Sequence, residues 1–351
     1  MIINILLLLI GLVLLVKGSG YFVSSASSIA KKLGISEFVI GLTLVAIGTS
    51  LPELVSSIFA SIKHESGFVI GTITGANIAN IGLVVGIAAI IHRIKTRKQM
   101  LIRDGYIMLF SFLLLFIFIF NNIISRIEGI IMLIIFFAYI IFLFETKKDL
   151  KGKYGFKEFI KSFFKFKYIL TIKSRLLTNF TKNKNKISST EKRRINELFR
   201  AGIIKDILLI ILSGAFVIFG AKYLVDQAIF FANLFNIPKM LIGILLAIGT
   251  TMPEMSVAIA ASRKRLGNIV IGNAIGSCIT NTLLILGISS IIFPLSVLKL
   301  SLVYIVPFML LMGILLLLFI KRHWGITKLE GIIFILLYLL FLIFLFFMVI
   351  T

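Results

Sequence analysis

The chain has 351 residues, 59% of them hydrophobic and 15% charged, with a mean hydropathy of +1.11. A soluble domain would be about 45–50% apolar and about 25% charged, so a soluble enzyme is excluded. The net charge of +23 would suggest a nucleic-acid partner in a soluble protein, but here the placement of the basic residues along the chain accounts for it.

A spanning helix needs roughly 20 apolar residues. The apolar runs are long and lack the period-two alternation of a barrel, so helices are expected. Hydropathy places spans at 3–28, 37–61, 67–91, 104–120 and 123–144. After a basic linker, further spans follow at 204–233, 238–262, 267–293, 297–320 and 328–350. Met1–Val16 has neither a basic n-region nor a small-residue cleavage pattern and reads as part of the first span. The expected fold class is an all-α polytopic membrane protein with ten transmembrane helices. Its units are 1–144, 145–203 and 204–351.

Counting Lys and Arg orients the chain. With both termini outside, the cytoplasmic connections carry 31 basic residues and the outer ones four, namely Lys63, Arg126, Lys239 and Lys299. The linker at 145–203 is then cytoplasmic, in a protein of the cell membrane. In it, Phe159, Ile160, Phe163 and Phe164 recur at helical spacing, with Lys157, Lys161 and Lys165 on another face. This pattern suits an interfacial helix on anionic lipid, within a linker read mainly as a tether. The stretch Thr178–Glu191 is polar and Lys/Asn/Ser-rich.

The two halves repeat one another. Residues 40–88 align with 241–289 without a gap, with 20 identities in 49 positions. Pro52-Glu53 matches Pro253-Glu254, Gly71 and Gly75 match Gly272 and Gly276, and Asn80 matches Asn281. Each half has five expected spans, an odd number, so the second enters the membrane inverted. Inverted repeats characterise secondary transporters, whose site lies near the midplane between repeats.

Each repeat interrupts an apolar helix with polar groups: Gly48-Thr49-Ser50-Leu51-Pro52-Glu53 and Gly249-Thr250-Thr251-Met252-Pro253-Glu254. Proline removes a backbone donor and clashes with the carbonyl four residues back, here that of Gly48 or Gly249. Glu53 and Glu254 fall mid-span, where a lone acid costs on the order of 2.5–3.5 kcal/mol. Brought together, they need a cation or protons to offset their repulsion. Thr49 and Thr250 share a helix face with the glutamate four residues on, and Ser50 and Thr251 add hydroxyl oxygens. Asn80 and Asn281 add amide carbonyls. Such hard oxygen donors suit Ca²⁺ and Na⁺ rather than zinc or copper. The glycine pairs offer faces for close helix approach.

Other polar positions have plainer expected roles. Lys222 and Asp226, at i and i+4, are expected to pair with each other, and Cys278 to pack as a small residue. As the only cysteine, it excludes an intrachain disulfide. His64, His92 and His323 fall in expected loops and form no metal cluster.

At these motifs the sequence resembles the sodium/calcium exchanger family. The matching segments are Gly48–Glu53 with Gly75-Ala-Asn-Ile-Ala-Asn80, and Gly249–Glu254 with Gly276-Ser-Cys-Ile-Thr-Asn281. The resemblance implies Na⁺-driven Ca²⁺ antiport by alternating access. It also implies Glu53 and Glu254 as central ligands, with Thr49, Ser50, Thr250, Thr251, Asn80 and Ser277 around them. Three positions depart from the family pattern: Ala76 where Ser is common, Cys278 where Asn is common, and Asn281 where several members carry Asp. An H⁺/Ca²⁺ or other divalent-cation antiporter of the same fold is the alternative, with the glutamates carrying protons. No enzymatic activity and no resident cofactor are expected. The expected partners are the lipid bilayer and the transported ions, with no nucleic acid and no obligatory protein partner.

Overall fold

The computed structural model describes residues 1–32, 46–98, 100–146, 156, 159–160 and 189–350. The first half opens with α1 (Ile2–Lys32), followed by α2 (Ala46–Thr49), α3 (Leu51–Ile62), α4 (Ser66–Ala79) and α5 (Gly86–Ile91). It continues with β1 (Ile94–Lys95), α6 (Tyr106–Phe118), β2 (Ile123–Ile124) and α7 (Arg126–Thr146). The second half comprises α8 (Ser189–Leu234), α9 (Lys239–Thr250), α10 (Met252–Arg263), α11 (Gly267–Ile279) and α12 (Leu286–Ile292). It ends with β3 (Leu295–Ser296), α13 (Val306–His323), β4 (Gly325–Ile326) and α14 (Lys328–Ile350).

Nine helical stretches among the described residues are long and apolar enough to cross a membrane. The expected span 37–61 is represented by α2 and α3, because residues 37–45 lie outside the described part. α8 begins at Ser189, inside the stretch read as linker. Of the expected interfacial helix, Phe156, Phe159 and Ile160 are described. Phe159 is buried and packs on Phe142, and Phe156 packs on Phe110. Both rings therefore rest on α6 and α7, and Phe163, Phe164 and the three lysines lie outside the described residues.

The second half repeats the local geometry of the first. α4 runs into a wide π-helical turn at Asn80–Val85, and α11 into one at Thr280–Ile285. The turns after α3 and α10 place His64 and Arg265 in left-handed backbone, and Asn122 and Trp324 do so before β2 and β4. Such residues let a helix stop and the chain reverse. The short strands then join the halves: β1 pairs with β4 and β2 with β3, both antiparallel. Thus β1, the third-span connection of one half, joins the last connection of the other, and β2 and β3 do the same at the opposite end. Matching capping boxes open α7 and α14. Glu128 accepts from the backbone N–H and hydroxyl of Ser125 at 2.7 and 2.9 Å. Glu330 does so from Thr327 at 2.8 and 2.9 Å.

α4 and α11, with their π turns, are the most enclosed helices. α4 lies against α9 at glycine contacts. A Cβ on Gly71 would collide with the Met240 carbonyl, and one on Gly243 would stand 2.6 Å from the Phe68 carbonyl. The repeat-related Gly272 is looser, its nearest neighbour being the Met100 sulfur at 3.8 Å. Close approach on this glycine face is thus realised at Gly71 and not at Gly272.

Two charged positions differ from expectation. Asp226 pairs with Lys63 at 2.6 Å rather than with Lys222, because the α3–α4 turn brings the Lys63 ammonium across to α8. Arg103, counted with a loop, lies in a π-helical turn that starts the fourth span at Met100. Its guanidinium forks onto the buried Asp104 at 2.8 and 2.9 Å, and Tyr139 donates to the same carboxylate at 3.3 Å. Pairing and hydrogen bonding make a buried charge tolerable.

Candidate ion-binding site

Both polar helix interruptions are breaks in the structure. Ser50 separates α2 from α3 with φ −86° and ψ 11°, and Thr251 separates α9 from α10 with φ −80° and ψ 4°. Pro52 and Pro253 stand at the start of the following segments, where a missing N–H costs nothing. The chain therefore restarts as a new helix just before each glutamate. Glu53 and Glu254 occupy first turns, where free N–H groups and the helix dipole favour negative charge.

The two carboxyl groups are buried, at 0% and 1% exposure, and close enough to repel one another. Hydroxyls from across the break surround them. Ser50, from the first half, donates to Oε1 of Glu254 at 3.2 Å. Ser277, on α11, donates to the same oxygen at 3.3 Å. Thr49 also faces Glu254, and Thr250 of the second half faces Glu53. Each glutamate is thus met by the threonine of the opposite repeat.

The remaining expected residues are placed differently. Thr251 donates its hydroxyl to the Ile248 carbonyl at 3.2 Å, unlike Ser50 at the equivalent break. Asn80 and Asn281 are fully buried at the starts of the two π turns, and among the described residues neither amide hydrogen-bonds to a carboxylate. Ala76 and Cys278, two of the departures, are fully buried on α4 and α11.

Several acceptors in this region have no hydrogen-bond partner among the described residues: both oxygens of Glu53, Oε2 of Glu254, and the amide oxygens of Asn80 and Asn281. A buried acceptor left unpaired carries its full desolvation cost. Five hard oxygens of this kind match the ligand chemistry of Ca²⁺ or Na⁺. No group of three or more His, Cys, Asp or Glu side chains occurs among the described residues, so a zinc-type or copper-type centre has no ligand set there.

One buried residue escaped the sequence reading. Asn77, on α4, bonds to Thr282, Met309 and Asn281, and its carbonyl receives the Cys278 thiol at 3.8 Å. Its repeat mate is Cys278, so comparing the halves raised no polar signal at this position. An amide inside an apolar helix was itself a signal.

Carboxylates buried among apolar membrane helices mark an ion or proton pathway. The family model for sodium/calcium exchanger protein matches residues 3–145 and 205–347, two segments of equal length. The chain belongs to that family. It is 50% identical over 337 residues to the sodium/calcium exchanger MaX1 of Methanosarcina acetivorans, covering 96% of each chain. It is 29% identical over 295 residues to the inner membrane protein YrbG of Escherichia coli, covering 82% of this chain and 79% of that one. Among solved structures it is similar to the sodium-calcium exchanger NCX_Mj soaked with 2.5 mM Na⁺ and 10 mM Sr²⁺. That match has a TM-score of 0.61, 30% identity and 97% coverage of both chains.

Proposed function

We propose that this protein is a secondary active antiporter that exchanges Na⁺ for Ca²⁺ across the cell membrane by alternating access. One observation carries the reading: Glu53 and Glu254 are both buried in first turns after helix breaks, and three of their four oxygens have no partner among the described residues. Two enclosed carboxylates repel and lose hydration worth several kcal/mol each. One Ca²⁺, or more than one Na⁺, neutralises the pair. The empty site resists enclosure, so the protein changes sides loaded and couples the two ions.

Glu53 and Glu254 are the central ligands in this account. Ser50, Thr49, Thr250 and Ser277 line them, while Asn80, Asn281 and Thr251 complete the polar ring. The architecture is ten transmembrane helices in two inverted five-helix repeats, Ala46–Ile62 being the described part of the tenth. The crossed pairing of β1 with β4 and β2 with β3 supports a two-fold relation between halves. Arg93, Lys95, Arg97, Lys321 and Arg322 gather near the β1–β4 end, which makes that end cytoplasmic by the positive-inside rule. Both termini are then outside, and the basic linker is cytoplasmic.

Radiolabelled Ca²⁺ uptake into Na⁺-loaded proteoliposomes diluted into Na⁺-free medium tests the reading. Uptake that requires internal Na⁺ is expected. Uptake that ignores Na⁺ and follows an imposed pH gradient would overturn Na⁺ coupling in favour of proton-coupled exchange.

A further inference from the structure

We propose that Asn77 is a positioning residue of the ion site: it fixes the direction of the Asn281 amide and so commits the Asn281 carbonyl oxygen to the transported ion. The inference rests on the reading of Asn281 as a ligand. Met309 sets the polarity of Asn77. A thioether sulfur accepts hydrogen bonds and never donates, and the Asn77 amide approaches Met309 Sδ at 3.5 Å. The Asn77 NH₂ therefore points toward Met309, where it also donates to the Thr282 hydroxyl at 2.9 Å. Its Oδ1 must then point the other way, toward Asn281. There it accepts from Asn281 Nδ2 at 3.1 Å. Asn281 has thereby spent its NH₂ on a protein partner, and its Oδ1 is the end left buried without one. Asn77, Asn281 and Thr282 are each 0% exposed and Met309 likewise, so water does not compete for this polarity.

The repeat supplies a contrast. The mate of the Asn77–Asn281 pair is Cys278–Asn80. Cys278 sends its thiol to the Asn77 carbonyl and offers Asn80 no amide oxygen. Both ends of the Asn80 amide lack a hydrogen-bond partner among the described residues. Two asparagines at equivalent positions thus differ: the Asn281 NH₂ is held by Asn77, and the Asn80 amide has no hydrogen-bond partner among the described residues. The departure at Cys278 and the amide at Asn281 are two parts of one arrangement.

The test uses full-length protein in proteoliposomes. Asn77→Ala is expected to raise the KM for Ca²⁺ about tenfold, the scale of one buried hydrogen bond, with the maximal rate nearly unchanged. Met309→Leu, which conserves volume and preserves folding, is expected to raise KM severalfold by releasing the polarity of Asn77. The double variant Asn77→Ala/Asn281→Ala should match Asn281→Ala alone, because Asn77 acts only through Asn281. A Met309→Leu protein with parental KM, or additive effects of Asn77→Ala and Asn281→Ala, would overturn the proposal. Parental KM in Asn281→Ala itself would instead remove Asn281 from the ligand set and overturn the reading beneath it.

Discussion

The Ser50 hydroxyl donates to Oε1 of Glu254 at 3.2 Å across 204 residues of sequence. That bond joins the helix break of one half to the acid of the other. In the proposed function, an ion at Glu254 would meet groups of both halves, so that its presence could be sensed by the whole molecule.

Ser50→Ala should weaken Ca²⁺ affinity roughly tenfold, about 1.4 kcal/mol, because the proposed site loses one of the hydroxyl oxygens that line it. Ser277→Ala removes the second donor from the same oxygen and should act similarly. Because the two share one acceptor, the double variant should lose less than the sum. Ca²⁺ titration of uptake rates measures all three.

Asp226→Asn should change thermal stability by less than about 1 kcal/mol, as expected for a partly exposed ion pair. A double-mutant cycle should find coupling between Lys63 and Asp226 and none between Lys222 and Asp226. Coupling to Lys222 instead would contradict the observed 2.6 Å pair.

Gly71→Ala should destabilise the α4–α9 contact by about 1–3 kcal/mol through overpacking. Gly272→Ala, with its nearest neighbour at 3.8 Å, should be close to neutral. Thermal unfolding in detergent separates these two repeat-related positions.

Glu128→Ala and Glu330→Ala should each cost about 1 kcal/mol, the typical value of a helix N-cap. Equal losses are expected because both glutamates receive the same pair of donors. The unfolding midpoint of each variant reports this.

The sequence carried the features that local chemistry dictates. Proline removes a backbone donor from an apolar helix, and Pro52-Glu53 and Pro253-Glu254 recur in register in the two halves. The helix breaks, the acid pair and the repeated order were therefore legible. Contacts that depend on which surfaces meet were not. Asp226 has Lys222 one turn away, yet the tertiary fold brings Lys63 closer. Ser50 and Thr251 hold equivalent positions in the two repeats, yet Ser50 donates to Glu254 while Thr251 donates to the Ile248 carbonyl. Arg103 reads as a loop charge because its partner, Asp104, is its own neighbour and Tyr139 lies on another helix. Asn77 was hidden because comparison of the repeats rewards identity, and its role depends on its difference from Cys278.

The central claim is one ion site shared by Glu53 and Glu254. Equilibrium binding of radiolabelled Ca²⁺ to the purified protein, compared with Glu53→Gln and Glu254→Gln, tests it most directly. The account predicts a single high-affinity site that either substitution alone abolishes, in variants that remain folded by thermal unfolding. Two sites in the parent, with each variant keeping one at unchanged affinity, would contradict it.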